Sequence, residues 1–413
     1  MTIALERFAE ERTGLKSELH VASTEGAHPQ VLFDGNYNLS SPTGQKQIVT
    51  KLKTRTPEEE IPWEFLLDLV ALRSKERYRR GEEVSDLFDP IDAQQSRYLL
   101  PPFIEDGAIN GFHGEGGSLK SILALAAGLS VASGIPILGA VPIRACPVLY
   151  MDWEAKKEDH QERVQAIWAG LETTLDPPRT FIRHQRQVAS LKESATAAAR
   201  VIQDLGAGLV IIDSVSMARG GSSKEDDTTI AFHRAARSLN VPVLLIDHVS
   251  KEAIQNDDLR FAIGTVVSTN GVRRSWSVET QQEEDSPDAT VLIENHKHNN
   301  GSRAGRYAFR FHFESHRDER GDEHLDRVTI TPTEFRDAVQ ASGALHRLTN
   351  QDKIVTALRE AGRSLSVQEI REYLGEQGLA VSEGTIRTTL NRNDHTFAGS
   401  GHGGGWKLAE WDR

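Results

Sequence analysis

The sequence is poor in cysteine, has no long low-complexity tract and carries no excess of positive charge. Cys146 is the only cysteine among 413 residues, which excludes an intramolecular disulfide and the disulfide frameworks of small secreted domains. The first eleven residues carry acidic side chains and lack the apolar run of a signal peptide, so we expect a cytoplasmic protein. Because the net charge is −12, the protein as a whole cannot attract nucleic acid, and any contact with DNA must be local.

One uncharged stretch, between Lys120 and Arg144, is long enough to span a bilayer. It is rich in Ser, Gly and Ala, is interrupted by Gly134 and Pro136, and directly follows a phosphate-binding pattern. We therefore interpret it as a buried helix that runs into a strand, and we expect no membrane partner.

The length exceeds what one hydrophobic core usually organises and favours two or three domains. The patterns along the chain divide it into three parts. Residues 1–90 are expected to form a small, mainly helical domain, because apolar residues recur at helical spacing after a short extended stretch at 31–39. In residues 91–335, short apolar runs alternate with helical segments, which predicts an α/β core with a mostly parallel twisted sheet and an antiparallel extension. Residues 345–413 predict three helices and a glycine-rich hairpin, the outline of a winged helix-turn-helix. The parallel strands are predicted at 108–113, 147–151, 179–183, 208–212 and 241–246.

The segment GFHGEGGSLKS, which starts at Gly111, has the pattern of a phosphate-binding loop between a strand and a helix. Backbone N–H groups of such a loop point at phosphate oxygens, the lysine reaches the terminal phosphates and the serine hydroxyl holds Mg²⁺. The usual pattern has glycine before the lysine, whereas this chain has Leu119, which is acceptable there if its φ is negative. The loop predicts ATP and Mg²⁺ as cofactors. Its predicted nucleotide-binding residues are Gly114, Glu115, Gly116, Gly117, Ser118, Leu119, Lys120, Ser121 and Ile122.

Three later strands end in polar residues that should face the same crevice. Asp213 ends the apolar run GLVIID and is expected to hold Mg²⁺ together with Ser121. Glu154 follows the run PVLYMD, on a strand expected beside the phosphate loop, and is the predicted catalytic carboxylate, with Asp152 as its competitor. His248 ends the run VLLID and is predicted to sense the γ-phosphate, although a structural histidine fits that position nearly as well.

In their order and spacing, the phosphate loop and the VLYMDWE, VIIDS and DHVSK segments resemble the RecA-like P-loop ATPases related to plasmid RepA and to DnaB-type hexameric helicases. The resemblance covers residues 100–313, about half of the chain. It implies Lys120 at the phosphates, Glu154 as the catalytic carboxylate, and a homo-oligomeric ring, with a hexamer expected. It also implies a basic residue that acts on a neighbouring subunit's ATP, and Lys297 matches the family's lysine. Asn299 stands where an arginine is expected, which leaves Arg303 or Arg306 as its substitute.

Two regions are candidates for DNA contact. The family binds single-stranded DNA with loops after the metal-bearing and sensor strands, where this chain offers Arg219, Lys224, Arg273 and Arg274, although such loops are often merely solvated. In the tail, residues 382–393 resemble a recognition helix for duplex DNA, with Arg387 and Arg392 on accessible turns. Residues 345–413 carry nine basic and nine acidic side chains, so a protein-docking role also fits.

These patterns lead to one main functional hypothesis and two rivals. The main one is an ATP-hydrolysing DNA helicase or translocase that serves the replication of a mobile element. A DNA-binding initiator or regulator that uses ATP as an assembly switch is the second, and Asn299 favours it. A P-loop kinase is the third, but the sequence offers no acceptor pocket and a kinase does not explain the tail.

Overall fold

The computed structural model describes residues 1–23, 30–57, 60–80, 84, 86–88, 96–179, 181–221, 226–249, 270–298, 305–341, 348–379, 381–399 and 405–412. It separates the chain into two units, Met1–Gln95 and Ser96–Arg413. Within the described part of the chain, no helix is both long enough and apolar enough to cross a bilayer.

The first unit combines an antiparallel sheet with two helices. The sheet has the order β1-β2-β3, and the helices α1 and α2 follow it in the chain. Helix α1 starts where the Ser41 hydroxyl accepts a hydrogen bond from the N–H of Gly44, with proline in the first turn. Leu19, Tyr37, Leu52 and Trp63 are almost fully buried in the core of this unit. The elements are β1 (Thr2–Glu11), β2 (Gly14–Ser23), β3 (Gln30–Asn38), α1 (Pro42–Arg55) and α2 (Trp63–Arg80).

The expectation of a mainly helical first domain is therefore wrong. The extended stretch at 31–39 is present as β3, but β1 and β2 were missed. In β2, residues of the segment GLKSELHVAS alternate between partly exposed and buried positions, which is the period of a sheet with one buried face. The charged side chains on the outer face make this segment resemble a polar loop when only its hydrophobicity is considered.

The second unit is built on one large sheet with the order β14-β13-β12-β11-β6-β10-β9-β7-β8. Strands β11, β6, β10, β9, β7 and β8 run parallel, and β12, β13 and β14 extend the sheet with antiparallel neighbours. A separate two-stranded ribbon, β4 and β5, precedes the sheet in the chain. The bounds are β4 (Tyr98–Leu100), β5 (Ile104–Glu105), β6 (Ile109–Gly114), β7 (Val148–Asp152), β8 (Ile182–Arg186), β9 (Leu209–Asp213), β10 (Val243–His248), β11 (Arg274–Gln282), β12 (Asp288–His298), β13 (Arg306–Arg317) and β14 (Glu323–Thr333).

The strand sequences explain why the sheet is covered on both faces. Alternate residues of β9 separate into two cores: Leu209 and Ile211 face one, and Val210 and Ile212 face the other. The first core contains residues of α3 and α4, and the second contains residues of α5 and α7. Parallel strands must be apolar on both sides for this reason. The helices are α3 (Lys120–Ser133), α4 (Lys157–Gly170), α5 (Leu191–Leu205), α6 (Val215–Ala218), α7 (Asp226–Arg237) and α8 (Phe335–Ala341).

The predicted α/β core with a mostly parallel sheet is confirmed, and most of its strand boundaries agree within two residues. The exception is β8, which begins at Ile182 instead of 179. This strand lies at the edge of the sheet and is only partly buried, so its IRHQR sequence lacks the apolar run by which central strands are found.

After α8, the chain forms three helices and a short hairpin around a common core. The Ser366 and Ser382 hydroxyls cap two of the helices by accepting hydrogen bonds from backbone N–H groups. The backbone of Leu365 pairs with Trp406 of the hairpin. Ile354, Ile370 and Ile386 are fully buried where the helices meet. The elements are α9 (Asn350–Ala361), α10 (Val367–Glu376), α11 (Glu383–Arg392), β15 (Phe397–Gly399), β16 (Trp406–Leu408) and a 3₁₀ helix (Ala409–Asp412).

Candidate nucleotide-binding site

The turn between β6 and α3 has the shape that a phosphate group needs. A Cβ on Gly114 would clash with the carbonyl oxygen of Val278, so this position requires glycine. By contrast, a Cβ on Gly116 or Gly117 would meet no atom within 4 Å, which means that these residues face open space. The Thr280 hydroxyl donates to the carbonyl of Ser118 at 2.8 Å and fastens the loop to β11. The loop therefore offers room and backbone N–H groups to phosphate oxygens.

Leu119 does not have the negative φ that the sequence analysis required of it. Its φ is 58° and its ψ is 16°, the left-handed conformation that glycine adopts without cost. Its partly buried side chain packs against the core shared by α3 and α4. The leucine is thus accommodated by strain of roughly 1–2 kcal/mol in the backbone.

Lys120 lies at the centre of the site and is 4% exposed. Its ammonium group donates to the carbonyl oxygens of Gly114 at 3.1 Å and Glu115 at 2.5 Å, and to the Ser118 hydroxyl at 3.0 Å. Burial lowers the pKa of Lys120 to about 8, although the carboxylates of Asp213, Asp247 and Glu154 oppose the shift. The nearby carboxylates therefore compensate the positive charge of Lys120 only in part, and a bound anion would stabilise that charge further.

Ser121 and Asp213 are in direct contact. The Ser121 hydroxyl donates to Oδ2 of Asp213 at 2.7 Å, and the Tyr150 hydroxyl donates to the same oxygen at 2.6 Å. Burial raises the pKa of Asp213 despite these two hydrogen bonds. A hydroxyl and a carboxylate beside a phosphate loop are oxygen ligands of the type that Mg²⁺ prefers, so these residues fit the ion that the sequence predicts.

Glu154 reaches the same site from a strand that is not adjacent to the phosphate loop. The sequence predicts β7 beside β6, but β10 and β9 lie between them. Glu154 nevertheless approaches Asp213, because its Oε1 accepts a hydrogen bond from the hydroxyl of Ser214, the next residue after Asp213. His248 lies opposite Gly114 at the end of β10, with its Nε2 4.0 Å from Oε1 of Glu154.

Asp152, the competitor for the role of base, is in a different environment. It is fully buried and accepts hydrogen bonds from the Glu154 and Ala155 N–H groups and from the rings of His160 and His184. Burial alone would raise the pKa of Asp152, but these hydrogen bonds outweigh it and lower the pKa. With no exposed surface, Asp152 is not positioned to activate a water molecule at the phosphate loop.

The site also contains three residues that the sequence patterns did not predict. Tyr150 and Ser214 contact Asp213 and Glu154 respectively, and Asp247 is buried at the end of β10, where burial raises its pKa to about 7. The sequence does contain signals for the first two: Tyr150 stands two residues before the acid of β7, and Ser214 follows the acid of β9. Both positions could be predicted to reach the site, since they lie at strand ends that meet in one crevice. The raised pKa of Asp247 could not be predicted from the sequence, because it depends on burial in the folded protein.

Lys297, which is expected to act on a neighbouring subunit's ATP, is not at its own phosphate loop. Lys297 pairs with Ser275 in the sheet, level with Gly111 and away from the loop end of β6, and its ammonium donates to the Asn270 carbonyl at 3.2 Å. Arg306 forms an ion pair with Glu294 at 3.2 Å and packs on the ring of Phe335. Arg306 is thus engaged within its own chain, which argues against it as the substitute. Asn299 and Arg303 lie outside the described residues.

The candidate DNA contacts of the core are only partly accessible. Arg219 and Arg274 are 4% and 2% exposed, which contradicts the expectation that they bind DNA phosphates. Arg274 instead donates to the Tyr98 hydroxyl at 2.6 Å and packs on aromatic rings. Arg273 is exposed, and Lys224 lies outside the described residues. In the tail, both Arg387 and Arg392 are exposed on α11.

Comparison with known proteins gives one family match that spans the site residues. Residues 74–253 match the family model of the AAA domain, a span that covers less than half of the chain and includes the phosphate loop, Glu154, Asp213 and His248. Among solved structures, the chain is similar to a KaiC-like protein from the hyperthermophilic archaeon Pyrococcus horikoshii OT3, with a TM-score of 0.38 and 12% identity, over 57% of this chain and 94% of that chain. No curated protein sequence matches the chain. The AAA-domain match and the largely parallel sheet support a P-loop ATPase.

The strained backbone at Leu119 predicts an unusual order of stability between two variants. Leu119→Gly and Leu119→Ala both remove the side-chain contacts, but only glycine relieves the positive φ. We expect Leu119→Gly to be about 0.5–1 kcal/mol more stable than Leu119→Ala in urea denaturation. As a control, Ala197→Gly on the exposed face of α5 should destabilise by about 1 kcal/mol. A Leu119→Ala variant more stable than the glycine variant would contradict the left-handed conformation.

The lowered pKa of Lys120 predicts weaker ATP binding at alkaline pH. Phosphates bind the protonated amine of Lys120, whose pKa is about 8 in the protein without ATP. The affinity for ATP is therefore highest below this pKa and falls as the pH rises through it. We expect affinity for Mg·ATP to fall about tenfold between pH 7 and pH 9 in calorimetric titrations. Lys120→Arg keeps its charge across this range and should give a flat profile. Equal slopes for both proteins would assign the dependence to another group, such as Asp247.

Proposed function

We propose that this chain binds Mg·ATP at the loop between β6 and α3 and hydrolyses it. The observation that carries the proposal is the 2.7 Å contact between Ser121 and Asp213 beside the buried Lys120. Residues distant in sequence meet at one point of the sheet edge, and each has the chemistry that a triphosphate or its metal ion requires. The AAA-domain match over the same residues supports this proposal.

In the proposed mechanism, the chain supplies position and charge. Bound Mg²⁺ would neutralise charge on the β- and γ-phosphates. Lys120 transfers its hydrogen bonds from the loop carbonyls to phosphate oxygens. Ser121 would hold the ion through its hydroxyl oxygen and Asp213 would hold it directly or through a water molecule, while the Tyr150 hydroxyl keeps Asp213 in place.

Glu154 orients the attacking water and accepts its proton. The hydrogen bond from Ser214 fixes the direction of the carboxylate, and His248, opposite Gly114, reports the γ-phosphate to β10.

Glu154→Gln tests this division of roles. The variant keeps the shape of the side chain but cannot accept a proton, so we expect nearly unchanged affinity for Mg·ATP and a loss of turnover of about 100-fold or more. Glu158→Gln, which changes an exposed carboxylate on α4, should leave both quantities unchanged. Affinity is measured by titration calorimetry and turnover by phosphate release. Normal turnover in Glu154→Gln would exclude this residue as the base.

We further propose that ATP hydrolysis drives a DNA translocase or helicase that serves the replication of a mobile element. The protein is proposed to assemble in the cytoplasm as a ring, with six subunits as in the helicases that it resembles. Support comes from the resemblance to ring-forming helicases and from Arg273, which is exposed after the sensor strand. The tail is proposed as a winged helix that places α11 on duplex DNA, with Arg387 and Arg392 on its accessible side. Lys297, away from its own loop, is proposed to reach a neighbour's ATP.

The second candidate is an ATP-dependent switch that binds DNA without translocation, as an initiator or regulator would. Burial of Arg219 and Arg274 favours it, because it removes two of the positive charges proposed to follow a single strand through the core. In that case the tail would carry DNA binding and ATP would control assembly.

ATP turnover with and without DNA separates these candidates. A motor should hydrolyse ATP several-fold faster with single-stranded DNA and should separate a forked duplex, because translocation couples the two processes. A switch should bind DNA with little change in turnover. Indifference to DNA in both binding and turnover would contradict both candidates.

The contribution of the tail is tested by measuring the affinity of the full chain for duplex DNA at several salt concentrations. Arg387→Ala should weaken duplex binding and reduce its salt dependence by about one counterion. Arg363→Ala removes the same charge from the tail outside α11 and should leave both unchanged. An equal loss in the two variants would assign the effect to net charge.

A further inference from the structure

A second cluster of chemically capable side chains lies outside the proposed nucleotide site. Asp152, His160 and His184 approach one another at the carboxyl end of β7, with side-chain exposures of 0%, 4% and 14%. They come from three elements, β7, α4 and β8. Each offers one ligand atom, and the three atoms lie within 4.8 Å of one another. We propose that these residues form a site for a zinc-class transition-metal ion.

The distances fit tetrahedral coordination. Oδ2 of Asp152 lies 3.1 Å from Nε2 of His160 and 3.3 Å from Nε2 of His184. Bonds of about 2.0–2.2 Å from zinc to nitrogen or oxygen give ligand–ligand separations of roughly 3.3–3.6 Å in a tetrahedron. An ion could therefore replace the two hydrogen-bonded protons with little change in the distances between the carboxylate oxygen and the two imidazole nitrogens.

The carboxylate is oriented in advance for this role. Oδ1 of Asp152 accepts the N–H groups of Glu154 and Ala155 at 3.0 Å and 3.2 Å, which leaves Oδ2 directed at the two imidazoles. The Tyr150 ring packs against His160 with centroids 4.6 Å apart. Contacts of this kind around a ligand fix its geometry and strengthen metal binding.

An open cavity gives the ion a path from solvent. The cavity has a volume of about 700 Å³, and its lining includes His160 and His184 together with Tyr150, Trp168 and Pro178. It leaves room for a water molecule or another small ligand at the fourth coordination position. Three protein ligands plus one open position are typical of zinc sites that bind an exogenous ligand.

The donor set distinguishes this site from the proposed magnesium site. Two imidazoles and one carboxylate select zinc, cobalt or nickel over Mg²⁺, which prefers oxygen donors. Excess Mg²⁺ should therefore saturate the oxygen ligands at Ser121 and Asp213 and leave the histidine cluster available. This difference keeps the inference independent of the proposed ATPase activity.

The direct test is a titration of the full chain with ZnCl₂ in millimolar Mg²⁺, in competition with a chromophoric chelator. We expect one tight equivalent per chain. With Co²⁺ in place of Zn²⁺, intense visible absorption is expected, because tetrahedral Co²⁺ absorbs far more strongly than octahedral Co²⁺. A cluster held only by hydrogen bonds would bind neither ion tightly, and that result would overturn the proposal.

Variants locate the ion. His184→Gln, at the most exposed of the three positions, should fold and lose affinity by about 100-fold together with the cobalt absorption. His316→Gln changes an exposed histidine that pairs with Asp326, and it should retain both signals. Tight binding that survives His184→Gln would place the ion elsewhere and contradict the assignment. Circular dichroism of each variant shows that a loss of binding is not a loss of fold.

Discussion

The hydrogen bond between Ser121 and Asp213 is the contact on which the proposed site depends. It joins the first turn of α3 to the end of β9 across a sheet edge where β10 lies between β6 and β9. Parallel strands place their carboxyl ends in one crevice, so the fold itself brings the two residues together. Tyr150 from β7 donates to the same carboxylate, and Glu154 lies two residues after the end of that strand.

The charges of the site are arranged for a ligand that brings charges of both signs. Lys120 is buried, and its pKa is lowered, whereas burial raises the pKa values of Asp213 and Asp247. Each shift reflects the cost of a charged form that the protein alone does not fully compensate. Phosphate oxygens and a divalent cation would compensate both signs together, which explains why the polar residues of a binding site are retained in a buried position.

Much of the core could be predicted from the sequence, because buried parallel strands require apolar runs and the phosphate loop has a fixed spacing between strand and helix. Other features depend on tertiary context. The left-handed φ of Leu119 follows from the turn in which it lies, and the burial of Arg219 and Arg274 follows from packing that no local pattern records. The order of the strands, which separates β7 from β6, is equally invisible along the chain. By contrast, the alternation of apolar and polar residues in β2 is a local pattern that the sequence does contain. It was missed because the charged residues of the outer face make the segment resemble a polar loop.

The most direct test of the central claim is a double-mutant cycle on Mg·ATP affinity with Ser121→Ala, Asp213→Asn and the double variant. If the two side chains share one metal ion, each single change should weaken the binding of Mg·ATP strongly. The double variant should then lose little more affinity than the single variant that binds Mg·ATP less tightly. The same cycle with ATP in a chelator should show almost no effect. A shared metal site would be contradicted if the losses of affinity in the two single variants added up in the double variant with Mg²⁺ present. It would also be contradicted if the variants lost as much affinity for ATP without Mg²⁺ as with it.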